Sequence, residues 1–227
     1  MAKDTAKTSN DKKIKILLVD DHPIVRQGVR TLISHESDMV VCGEADNSVD
    51  ALRLMDQTCP DIAVVDLSLK ESTGLDLIKD ARIRYPKILV LVYSMRDESF
   101  YAERVLRAGA KGYITKEEGG KMIIDGISKI LDGQIFLSER MAAKMVWMFV
   151  GGGGAARPSI QNLTDRELEV FELIGHGMPT REIAEKRHLS VKTVDSYREH
   201  IKEKLKLDSA AELLKHAIEW VKYEGKG

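Results

Sequence analysis

The chain has 227 residues, 31% of them charged, and a formal net charge of −1. That length suits two modest domains, and the near-neutral balance excludes a global field that would draw the whole molecule to nucleic acid. No run approaches eighteen consecutive apolar residues, so no membrane span and no membrane partner are expected.

Residues 1–13 are polar and lack an apolar h-region, which predicts a disordered tail and not a signal peptide, in a cytoplasmic protein. Four runs, 14–19, 61–65, 88–93 and 111–115, are β-branched or aliphatic without the alternation of a half-wet sheet. Such runs suit a parallel sheet buried on both faces. Helix-period segments separate them, so the βαβ order puts every strand end on one edge, where such folds bind ligands. Asp20, Asp21, Asp66, Ser94 and Lys116 fall at those ends. Any one of them alone would be an ordinary cap or surface group. Together they read as a phosphoryl site. Crowded carboxylates need a cation, and oxygen-only ligands suit Mg²⁺. One carboxylate must be the nucleophile, and Asp66, after the central run 62–65, sits deepest. Cys42 and Cys59 lack metal or redox spacing and lie among apolar neighbours, which predicts buried free thiols.

The stretches LLVDDHPIVRQGV at 17–29, VVDLSLKESTG at 64–74, LVYSM at 91–95 and AGAKGYITK at 108–116 resemble the receiver domain of two-component response regulators. The resemblance implies a doubly wound (βα)₅ domain over 14–133, with Asp66 as the phospho-accepting aspartate. It implies Mg²⁺ held by Asp20, Asp21, Asp66 and the main-chain carbonyl of Ser68. Ser94 would be the switch hydroxyl, Lys116 the phosphate-binding lysine, and Tyr113 a switch aromatic that turns inward on phosphorylation. A histidine kinase is the implied partner, and 97–108, 111–115 and 121–132 the implied readout face. Two positions depart from the family. Leu69-Lys70 stands where Met-Pro is usual, which frees a backbone donor after Asp66, and Met95 stands where many relatives have a smaller residue.

The middle of the chain reads as a linker, 134–159. Gly133 closes the last receiver helix, Ser138 caps a helical stretch at 139–150, and four glycines at 151–154 make a hinge. Beyond it, 160–227 carries four short helical patterns. Thr164 and Glu167 form a capping box, Thr180 and Ser190 cap the next two helices, and Ser209 with Glu212 forms another box. The turn at 188–190 reads as helix-turn-helix. The segment LTDRELEVFELIGHGMPTREIAEKRHLSVKTVDSYREHIKEKL resembles the LuxR-type DNA-binding domain, an all-α four-helix fold, and implies double-stranded DNA as partner.

At roughly 100° per residue, Val194, Tyr197, Ile201 and Leu205 form a core stripe on the third of these helices. Opposite them stand Asp195, Ser196 and Glu199 as candidate base readers, with Lys192, Thr193 and Lys202 for phosphates. Acidic side chains accept from cytosine N4, while serine is permissive. Residues 186–206 hold seven Lys or Arg against three Asp or Glu, and the rest of the domain returns that charge. One copy should bind weakly, so a homodimer on DNA is expected, with the last helix as its contact. The function implied is a response regulator whose DNA binding and transcription control are switched on Asp66. Two rival readings use the same residues. One is a Mg²⁺-dependent aspartyl-phosphate phosphohydrolase, against which the pocket lacks a second acid or base. The other is a DNA-binding regulator indifferent to phosphorylation, for which Lys70 and Met95 are mild support.

Overall fold

The computed structural model describes residues 13–69, 73–149 and 159–224. The predicted tail up to residue 12, Lys70 and the glycine hinge at 151–154 lie outside them. The chain forms two compact units, one of Met1–Ser94 with Ala108–Phe136 and one of Met95–Arg107 with Leu137–Gly227.

In the first unit β1 (Ile14–Val19), β2 (Met39–Ala45), β3 (Ile62–Val65), β4 (Leu89–Ser94) and β5 (Gly112–Thr115) form one sheet. The order is β2-β1-β3-β4-β5, and every neighbouring pair is parallel. The helices are α1 (Pro23–Ser34), α2 (Ser48–Thr58) and α3 (Gly74–Arg84), then α4 (Glu98–Ala108), treated with the second unit, and α5 (Lys121–Leu131). Ile16 and Leu18 of β1, Ile62 and Val64 of β3, Leu91 and Tyr93 of β4 and Ile114 of β5 share a core with α1 and α5. Successive strand residues point to opposite faces. The intervening Leu17, Val19, Ala63, Val65, Val92 and Tyr113 are also buried, so the other face is covered as well. That double burial is why these strands lack alternation.

Several boundaries and environments differ from expectation. Asp61, Ile88 and Lys111 stand just before their strands. Strand β2 was not singled out in the sequence because it is a sheet edge. Only Met39 and Ala45 at its ends are buried, and Val40 is exposed, so no apolar run marks it. Cys59 is exposed and Cys42 half-buried, not buried thiols. Cys59 is the left-handed C-cap of α2, at φ 46°, which turns it outward from the helix end.

The second unit adds α6 (Glu139–Phe149), α7 (Asp165–Gly175), α8 (Thr180–Lys186), α9 (Val191–Leu205) and α10 (Ala210–Glu224). Helix α7 packs on both α9 and α10, with Phe171 against Trp220 at 5.7 Å between ring centres. A side chain at position 175 would collide with the Ala217 carbonyl, so glycine there sets the closeness of α7 and α10. Helix α4 falls in this unit: Arg104 pairs with Asp165 at 3.0 Å and donates to the Leu163 carbonyl at 2.7 Å, and Arg96 pairs with Glu172.

The caps explain the helix starts, with one correction. Thr164 and Glu167 make the predicted box, and Ser190 accepts from the Thr193 amide. Thr180, expected as a cap, is the first helical residue, and Pro179 holds the N-cap position without a side-chain bond. Proline's fixed φ already sets the entry there. The second box is half made: Ser209 accepts from the Glu212 amide, while the Glu212 carboxylate takes the Asp208 amide.

Glu167 does more than cap. Its buried carboxylate accepts from the Thr164 amide at 2.7 Å and from Lys204 of α9 at 2.6 Å. Burial alone pushes its pKa up, but Lys204 and the Thr164 donors outweigh that and hold it below the ordinary value of 4.5. A depressed carboxylate adds stability above its ordinary value and loses it as pH falls through the folded value. Glu167→Gln is therefore expected to cost about 1–2 kcal/mol at neutral pH. Urea denaturation curves of the two proteins should converge as the pH falls from 4.5 through the depressed folded value of Glu167.

Candidate functional site

The order of the sheet reverses between β1 and β3, and the crevice there is the natural ligand site of this topology. A main-chain bond stitches its mouth, the Asp66 amide donating to the Val19 carbonyl at 2.8 Å, while the Asp20 amide ties the end of β1 to Ala45 of β2 at 3.1 Å. Asp20 is 5% and Asp66 3% exposed, deep for carboxylates. The Asp66 side chain is held at both oxygens. Ser94 Oγ donates to Oδ1 at 2.6 Å and the Ser68 amide to the same oxygen at 3.2 Å, while Lys116 Nζ lies 2.6 Å from Oδ2. Lys116 also reaches Asp20 Oδ2 at 2.7 Å.

Local sequence makes this geometry possible. The backbone of Gly74, first residue of α3, passes so close that a Cβ would collide with the Asp66 carbonyl oxygen. Glycine alone permits that approach. Asp20 and Asp21 follow β1, Asp66 follows β3, Ser94 ends β4 and Lys116 follows β5, so four neighbouring strands deliver the cluster.

Burial alone pushes the Lys116 ammonium down, but Asp66 and Asp20 beside it prevail and hold its pKa above the ordinary lysine value. One ammonium does not balance three carboxylates. Asp20 Oδ2 and Asp21 Oδ1 are buried, with Lys116 Nζ 2.7 Å from the first and His22 Nδ1 2.6 Å from the second, which leaves carboxylate lone pairs to spare. Asp20, Asp21, His22 and Asp66 each present a ligand atom, all within 4.8 Å of one another. Spare oxygen lone pairs in a buried anionic cluster fit a hard divalent cation.

The pocket thus brings together Asp20, Asp21, Asp66, Ser94 and Lys116, with Ser68 contributing its amide. Tyr113 is 1% exposed. Its ring is buried on β5, three residues before Lys116. Met95 is exposed. His22 and Arg26 went unnoticed in the sequence. His22 Nδ1 lies 2.6 Å from Asp21, and Arg26 donates to the Asp20 carbonyl oxygen and pairs with Glu44 at 3.2 Å. The position of His22 beside the acidic pair was the available signal.

On α9, Val194 and Ile201 are buried, Tyr197 and Leu205 half-buried, and Lys192, Asp195, Ser196, Glu199 and Glu203 exposed. Of the expected phosphate contacts, Lys192 is free to face outward. Thr193 is half-buried with its hydroxyl on Ser190 at 2.7 Å, and Lys202 pairs with Glu199 at 2.9 Å. On α10, Leu213, Ala217 and Trp220 are buried, and Leu214 is 41% exposed.

Residues 16–128 match the response regulator receiver domain, and residues 161–217 match the luxR family of bacterial regulatory proteins. The chain is 35% identical over 211 residues to the oxygen regulatory protein NreC of Staphylococcus carnosus, covering 90% of this chain and 97% of that protein. It is 32% identical over 204 residues to the transcriptional activator protein ExaE of Pseudomonas putida, covering 90% and 95%. Among solved structures, RcsB of Salmonella typhimurium shares the fold at a TM-score of 0.70 and 22% identity, over 92% of this chain and 98% of that one. A LuxR-family response regulator from Aurantimonas matches at TM-score 0.57 and 35% identity, over 61% of this chain and 99% of its own. Among the described residues no helix is long and apolar enough to cross a membrane. With both family models matched in order, and relatives alike over nine-tenths of its length, the chain belongs to the two-component response regulators that join a receiver domain to a luxR-family DNA-binding domain.

Proposed function

We propose that Asp66 accepts a phosphoryl group, and that its phosphorylation switches DNA binding by α9. The observation that carries this is the grip on Asp66: a buried carboxylate with Ser94 Oγ and Lys116 Nζ each at 2.6 Å. The ionised carboxylate attacks phosphorus of the donor, and the bond from phosphorus to the donor's leaving atom breaks with its electron pair. Ser94 and Lys116 then hold phosphoryl oxygens instead of carboxylate oxygens. Lys116, held above its ordinary pKa, keeps its proton throughout. Asp20, Asp21, Asp66 and the Ser68 main-chain carbonyl would hold Mg²⁺, which when bound neutralises phosphoryl charge.

In this reading 14–133 is the receiver, 134–159 the linker and 160–227 the DNA-binding domain of a cytoplasmic regulator served by a histidine kinase. Lys192, Thr193, Asp195, Ser196, Glu199 and Lys202 form the DNA face. Two copies bind together through α10, where Leu214 is exposed beside the buried Leu213 and Ala217. The relatives support it: RcsB has been solved on promoter DNA with a phosphomimetic, and as dimers on DNA. One observation favours a second reading, in which DNA binding ignores phosphorylation: Ser94 and Lys116 are each engaged by the Asp66 carboxylate at 2.6 Å, so the pocket is held together by its own side chains. Footprinting with and without a small phosphodonor separates the two. The proposal expects protection of paired sites to strengthen with donor and Mg²⁺, and equal protection in both conditions would select the second reading.

A further inference from the structure

Whatever sequence α9 reads, it must read with the groups it presents. Lys192, at the start of the helix, is a donor. About one and two turns further on, Asp195 and Glu199 are exposed carboxylates, which only accept. Ser196, between them on the same face, would ordinarily do either. Its Oγ donates to the Lys192 carbonyl at 3.0 Å, the back-bond of a helical serine. The proton is committed to the helix, and only the oxygen's lone pairs face outward. The three candidate base readers, Asp195, Ser196 and Glu199, are therefore all acceptors.

Resting on the assignment of α9 to DNA, we infer that Asp195 and Glu199 select cytosine, through its N4 amino group, at two positions of each half-site. Only two groups in the major groove donate strongly, cytosine N4 and adenine N6. Adenine N6 lies beside N7, an acceptor that would face the second oxygen of a carboxylate. Cytosine has no acceptor on its major-groove edge, so a carboxylate meets no opposing lone pair there. Guanine, with O6 and N7, and thymine, with O4, would face acceptor to acceptor. An unpaired acceptor in a closed interface is costly, so these acceptors reject as strongly as they select.

Its neighbours limit the charge penalty near phosphates. Lys202 lies 2.9 Å from Glu199, fixing that carboxylate and offsetting its charge. Asp195 is three residues from Lys192, on the adjoining part of the same face. The positions differ in freedom, with Glu199 held and Asp195 open to solvent.

The test is selection of binding sites from a randomised duplex pool by the full chain, phosphorylated and with Mg²⁺, for the wild type and for Asp195→Asn and Glu199→Gln. Both residues are exposed, and circular dichroism checks that the variants fold. Asn and Gln pair bidentately with adenine N6 and N7. Each variant is expected to change cytosine to adenine at its own position and leave the rest of the site alone. Discrimination at that position should be at least about fivefold, the low end for one bidentate contact. Selected sites with guanine at those positions, or a preference that neither substitution moves, would overturn the inference while leaving DNA binding intact. Failure of the wild type to enrich any sequence would instead overturn the assignment of α9 to DNA, and this inference with it.

Discussion

Asp66→Asn is expected to remove phosphoryl incorporation entirely, leaving the fold in place. Wild type treated with a small phosphodonor and Mg²⁺ should take up about one acid-labile phosphoryl group per chain, and the variant none. The amide keeps the shape of the carboxylate, and its oxygen can still accept from Ser94, which lies 2.6 Å from Oδ1. What it lacks is a nucleophile. Lys116 retains Asp20 at 2.7 Å as a counter-charge, and removing one of three crowded carboxylates relieves repulsion. Stability should therefore change by no more than about 1 kcal/mol. Phosphate-affinity gels read the first expectation and thermal denaturation the second. A variant labelled like wild type would move the acceptor to another residue.

Lys116→Ala is expected to have the largest effect on stability. The side chain is 7% exposed and is the cation between Asp20 and Asp66, whose side chains are 8% and 3% exposed. Removing one partner of a buried ion pair costs about 3–5 kcal/mol because a charge stays behind unmatched. The loss should be deepest without divalent ions, and millimolar Mg²⁺ should recover much of it by binding the same oxygens. In wild type the sign with pH is fixed by the raised pKa. The Lys116 contribution is complete at neutral pH and is lost only as the pH rises beyond the ordinary lysine value of 10.5. Thermal denaturation with and without Mg²⁺ checks both statements. Equal melting of variant and wild type in chelator would make Lys116 a surface charge.

The cluster was legible because topology alone sends strand ends to one edge: Asp20, Asp66, Ser94 and Lys116 needed no tertiary detail. The recognition helix was legible for a similar reason, since its stripe of Val194 and Ile201 and its cap Ser190 are local signals. Long-range pairings were not. Nothing in the sequence joins Lys204 to Glu167 or Arg104 to Asp165, because charged side chains far apart in the chain carry no mark of their partners. Strand β2 escaped because an edge strand need not be apolar throughout. Cys59 misled because apolar neighbours in sequence do not bury a residue that ends a helix in the left-handed conformation. The burial of Tyr113 depends on tertiary packing, which no motif encodes.

The gathered pocket bears on the gain of the switch. A signal can move a two-state protein only by the free energy that separates its hold on the two states, and a full swing from about 1:99 to 99:1 needs about 5.5 kcal/mol. Here Ser94 and Lys116 each hold an Asp66 oxygen at 2.6 Å. Modification of Asp66 exchanges oxygens within an existing grip instead of assembling a new one. The gain then depends on how much more tightly Ser94 and Lys116 hold phosphoryl oxygens than carboxylate oxygens.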